Sequence, residues 1–181
     1  MNASYFSSYT RLFRVTAWIL LFLSNCKSKH RLFQELTSDA VEKAKDYWIL
    51  VVQKQCFPVE IKALENSMPI PAKSKIAHFN PFLQENHLRF GGISQFAPVT
   101  SEEKHSLLLD GSHHFVQLLI RHTHVRLHHL GVRIVLSELP SNYRILRGRE
   151  VIKRVISGCL HAGFLKRFVV SRLKLHFQRI E

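Results

Sequence analysis

Between Thr37 and about Phe57 the apolar residues Val41, Ala44, Trp48, Val51 and Val52 return every three or four positions, with Glu42, Lys43, Lys45 and Asp46 set between them. That period lays one apolar stripe along a helix. Thr37 and Asp39 suit its first turn and Pro58 closes it. Trp48 sits within the stripe, so it reads as a core anchor rather than a ligand-binding ring. Upstream, Val15–Leu23 is an apolar run behind Arg11 and Arg14. It is far shorter than the roughly 20 residues that cross a bilayer. We read it as an N-terminal helix, with a signal peptide ahead of Ser24-Asn25-Cys26 as the alternative.

Glu60 to Ser67 carries another turn or two of helix, and Met68-Pro69-Ile70-Pro71-Ala72-Lys73 is a punctuated connector. After it the period shortens towards two. Lys75–Phe79 and His87–Phe90 read as short strands, and Gly91-Gly92 as positive-φ positions of a turn or bulge before Ile93–Phe96. Leu107–Leu109 would be the last strand of a small β-meander over 68–110. From Ser112 the pattern is helical again, with Leu118, Leu119 and Val125 facing inward and Gly131 at a left-handed helix end. Val132–Leu139 and Arg149–Gly158 supply two more helices, the second with Val151, Val155 and Ile156 inward. The fold class expected is α+β, mainly α: N-terminal helices, a small β-meander, then a three-helix module. The expected segments are 1–35, 36–111, 112–167 and a basic tail at 168–181.

Charge is distributed unevenly. The 181 residues carry a formal +13, and residues 112–181 hold 13 Lys+Arg against 3 Asp+Glu, while residues 1–111 hold 13 against 10. A field of that sign draws phosphate backbones without selecting sequence. A merely solvated basic surface remains the plainer alternative. Three widely spaced cysteines, Cys26, Cys56 and Cys159, make no disulfide framework, which favours a reducing compartment or metal use. Cys56 reads as a small buried apolar residue.

The chemistry concentrates in His124-Val125-Arg126-Leu127-His128-His129-Leu130-Gly131, followed by Arg147-Gly148-Arg149 and Cys159-Leu160-His161-Ala162. Two histidines five apart, a basic segment and a cysteine are the frame of a His-His-Cys-Cys zinc module, in which imidazoles and thiolates hold the metal tetrahedrally. The last cysteine of that frame is absent, because position 162 is alanine.

These residues, together with Leu36-Thr37, Phe57-x-x-Glu60-Ile61-x-x-Leu64, Pro81-Phe82-Leu83, Leu88-Arg89-Phe90-Gly91-Gly92, Leu118-Leu119-Ile120-Arg121 and Tyr143-x-Ile145-x-Arg147-Gly148-Arg149-x-Val151, occur in a recognisable order. From about Leu36 to Arg167 the chain resembles BEL/Pao-type LTR retrotransposon polyproteins, in the stretch that leads into the integrase zinc-binding domain. The resemblance implies His124, His129 and Cys159 as zinc ligands, with the fourth expected at Ala162. His161, a water molecule, or no stable site at all are the alternatives for that gap. Two other positions depart from the family pattern: Arg144 stands where the family carries Trp, and Pro140 where it carries Arg.

An integrase joins DNA ends through a separate core of metal-binding acidic residues. Residues 163–181 hold only Glu181 of that type, and no other nucleophile or paired-carboxylate arrangement can be assembled, so no enzyme is expected. The expected partner is nucleic acid, bound nonspecifically by Arg144, Arg147, Arg149, Lys153 and Arg154, with no small-molecule substrate. The expected setting is intracellular, with the nucleus as one location. A structural or inactive transposable-element remnant is the second reading. A membrane-associated protein using Val15–Leu23 and the basic tail is the third.

Overall fold

Thr37 opens the second helix as its cap, its Oγ1 accepting a hydrogen bond from the Ala40 N–H at 3.3 Å. In the computed structural model, which describes residues 3–27, 35–91, 106–139 and 143–159, the helices are α1 (Tyr9–Lys27), α2 (Ser38–Cys56), α3 (Pro58–Glu65), α4 (His114–Arg126), α5 (Val132–Glu138) and α6 (Gly148–Ser157). The strands are β1 (Phe82–Gln84), β2 (His87–Arg89), β3 (Leu107–Asp110) and β4 (Tyr143–Leu146), ordered β1-β2-β3-β4. The fold is α+β and mainly helical, as the periodicity predicts. No described helix is long and apolar enough to cross a membrane.

Antiparallel pairing joins β1 to β2 and β2 to β3, whereas β4 lies parallel to β3, with Leu107 opposite Tyr143 and Asp110 opposite Leu146. Strands β1 to β3 thus form the meander expected within 68–110, and β4 extends it with a parallel strand that was not expected. A parallel neighbour needs a crossover, and α4 and α5 supply it. Sequence reading missed β4 because Tyr143–Leu146 is only four residues long and sits inside a segment read as helices and connectors.

Side chains on adjacent positions of β3 point to opposite faces, and this divides the core. Leu109 joins the main cluster with Leu12, Phe13, Trp48, Phe115, Val135 and Ile152, while Leu108 joins a smaller one with Phe57, Ile61, Ile76 and Leu88. The main cluster takes residues from both sides of the 35/36 and 111/112 boundaries. Gln53, buried on α2, links helix to sheet. Its Nε2 donates to the carbonyls of Leu88 (2.8 Å) and Leu108 (2.9 Å), and its Oε1 accepts from the Leu88 N–H at 2.8 Å. It thus satisfies main-chain groups of β2 and β3, which share one paired position, Arg89 with Leu107.

Several local expectations are corrected. Lys75–Phe79 is not a strand; Ala77–Phe79 is a 3-10 turn, and it places Ile76 in the smaller core. Gly91 has no positive φ. Its requirement is close approach, since a Cβ there would lie 2.0 Å from the Asn80 carbonyl oxygen. Gly131 is the extended N-cap of α5 (φ −69°, ψ 170°), and the left-handed positions are His128 and His129 instead. Gly92, Ile93–Phe96, Pro140 and residues 168–181 lie outside the described residues.

Candidate metal centre

His124 is in the last turn of α4 and only 2% exposed. The helix ends at Arg126, so the two histidines five apart do not share one helical surface. His128 (φ 51°) and His129 (φ 63°) both take left-handed backbone, and the His129 N–H donates to the His124 carbonyl at 2.9 Å. This conformation costs roughly 1–2 kcal/mol per non-glycine residue. It folds the His129 ring back against that of His124, with centroids 5.0 Å apart and planes at 82°.

The third group arrives from α6. Val151, Ile152 and Ile156 hold that helix against the main core, and the Cys159 N–H donates to the Ile156 carbonyl at 2.9 Å. Cys159 Sγ then lies 3.3 Å from His129 Nδ1, which lies 3.3 Å from His124 Nε2. One ligand atom from each of the three residues falls within 4.8 Å of the others. Metal–nitrogen bonds of about 2.0–2.1 Å and metal–sulfur bonds of about 2.3 Å give tetrahedral edges of roughly 3.4 and 3.6 Å. The two measured edges are close to those values. The three side chains can bind a metal ion.

Orientation of His124 also fits a ligand role. Its Nδ1 lies 3.1 Å from the Leu130 carbonyl, so Nδ1–H donates outward and Nε2 turns a lone pair towards the cluster. Metal-binding histidines are commonly fixed by such an outer hydrogen bond. Burial pushes the His124 imidazole below its usual pKa against the opposing effect of that carbonyl, which favours the neutral, ligating form. Sequence reasoning missed the Leu130 carbonyl, because only the reversal of the chain after Arg126 brings it to the ring. His161 and Ala162 lie outside the described residues.

The remaining histidines of α4 do structural work. His113 Nδ1 accepts from the Phe115 N–H at 3.1 Å and caps the helix, His114 Nε2 donates to the Phe6 carbonyl at 2.9 Å, and His122 stacks on Tyr9 at 4.9 Å. Cys56 is half-buried, and burial pushes its thiol up to about 11, with the nearby Asp110 charge acting in the same direction. It stays protonated and inert at neutral pH.

The five expected nucleic-acid contacts come from β4 and from two sides of α6. Arg144, exposed on β4, places its guanidinium 5.4 Å from the centre of the Phe90 ring, so its charge reaches solvent while its plane covers an aromatic. Arg147 is the left-handed N-cap of α6 and shares one side of that helix with Arg154, as positions seven apart do. Arg149 and Lys153, four apart, occupy another side and are exposed. No family model, curated protein or solved structure matches this chain.

Proposed function

We propose that the chain is a non-catalytic module of retrotransposon-integrase type, in which His124, His129 and Cys159 hold a structural zinc ion and the basic C-terminal third binds nucleic acid without sequence preference. The observation that carries this reading is the convergence of two imidazoles and one sulfur within 4.8 Å, two of their separations close to tetrahedral edges. Mixed nitrogen and sulfur donors select zinc over hard cations such as magnesium or calcium. The role of the metal is mechanical: it would tie the end of α4 to the end of α6, leaving Arg149 and Lys153 on an exposed side of a fixed helix. Phosphate contacts from such a surface position a nucleic acid but carry no base readout. An intracellular, nucleus-accessible setting follows from that partner.

Elemental analysis of zinc per chain tests the reading. The purified full chain retains close to one zinc, and His129→Ala and Cys159→Ala each lose most of it. Zero metal in the parent, or content unchanged in both variants, overturns the assignment. Affinity for duplex DNA is expected to fall steeply as salt rises.

A further inference from the structure

A second concavity lies at the carboxyl ends of β3 and β4, and none of its lining residues belongs to the metal cluster. Its volume is about 410 Å³, within the roughly 300–1,000 Å³ of small-molecule sites. The position follows from topology. Strands β3 and β4 run parallel, so their carboxyl ends lie side by side at this cleft. Asp110 ends β3 there and Leu146 ends β4.

The lining separates by chemistry. Lys75 enters from the loop before Ile76, while Arg147 and Arg154 come from the two ends of one side of α6. Among the described residues no carboxylate lies within 4.0 Å of any of these three cations. Phe79, Leu146 and Val151 supply an apolar wall. Glu150 is an exposed acceptor at the same opening, whereas Asp110 is already engaged, its Oδ1 accepting from the Ser112 N–H (2.9 Å) and Oγ (2.8 Å). Arg147 lines the cleft from the left-handed N-cap of α6 (φ 52°).

We propose that this cleft binds a phosphate-bearing ligand of mononucleotide size. The phosphate lies against Lys75, Arg147 and Arg154, where guanidinium groups match its geometry. The base lies on the Phe79–Val151 wall, and a sugar hydroxyl donates to Glu150. Inorganic phosphate alone would engage only the cationic end, and adenosine alone only the apolar one. Arg147 and Arg154 therefore serve a bound nucleotide, while Arg149 and Lys153 remain available to a strand backbone. The site needs no metal at the histidine cluster.

Calorimetric titration of the full chain tests this with adenosine 5′-monophosphate, adenosine, inorganic phosphate and a short DNA duplex. The expected result is saturable binding of the monophosphate, tighter than adenosine or phosphate, and weakened at least tenfold by Arg154→Gln and by Arg147→Asn. Asparagine tolerates the left-handed backbone, so the second variant removes charge without refolding the turn. Arg149→Gln leaves monophosphate affinity unchanged. An unaltered urea denaturation midpoint in Arg154→Gln separates a lost contact from a lost fold, whether or not zinc is bound. No saturable monophosphate binding, or equal weakening by Arg149→Gln and Arg154→Gln, overturns the proposal. So does a loss confined to duplex binding, which makes these arginines strand contacts.

Discussion

The surroundings of Trp48 and those of His124 are both buried, yet they are built on opposite principles. Trp48 is fully enclosed, its Nε1–H donates to Thr16 Oγ1 at 2.8 Å, that hydroxyl donates to the Leu12 carbonyl at 2.8 Å, and its ring stacks on Phe115 at 6.3 Å. Every polar atom there has a partner within the fold, and apolar volume supplies the rest. Around His124 three donor atoms face one another instead, and two consecutive residues hold left-handed backbone. The first region is complete as folded. The second brings three ligand atoms together and so fits a receptacle for an ion.

Truncating the complete region should cost most. Trp48→Ala is expected to lower unfolding free energy by roughly 3–5 kcal/mol, the range for large aromatic-to-alanine changes in cores, with the same loss in zinc and in chelator by urea denaturation. A loss that depends on metal would erase the distinction between the two regions. Gln53→Ala comes next, at about 3 kcal/mol, because it strands main-chain groups of Leu88 and Leu108, each worth roughly 1–3 kcal/mol when left unpaired. Hydrogen exchange at the Leu88 amide should accelerate in that variant. Zinc at a hundredfold its dissociation constant should raise stability by about 2.7 kcal/mol, with the effect absent in His129→Ala. An equal zinc effect in that variant would place the ion elsewhere.

Legibility along the sequence follows the length and regularity of each signal. The stripe from Val41 to Val52 spans several turns, so its helix, its Thr37 cap and its Trp48 core role were all evident from spacing. The sheet was less so. Leu107–Leu109 was visible as an apolar run, but Tyr143–Leu146 becomes a strand only because α4 and α5 return the chain beside β3, a tertiary cause with no local trace. Donor identities at His124, His129 and Cys159 were readable from residue type and order. Their convergence was expected from the family resemblance and is present, but the backbone that achieves it was not legible: it is left-handed at His128 and His129, a conformation that residue type assigned to Gly131. The Lys75–Arg154 cleft left no motif, since its lining comes from residues on either side of the crossover.

One feature of the metal cluster bears on how the chain assembles. His124 and His129 are near neighbours in sequence, whereas Cys159 lies 30 residues beyond His129, on the far side of β4. An unfolded chain can therefore capture an ion on the histidine pair at small entropic expense, but adding the thiolate closes a long loop that includes β4. The ion would then act much as a cross-link does, restricting the denatured ensemble around β4. Pairing of the one parallel strand and completion of the coordination sphere would proceed as a single late step of folding.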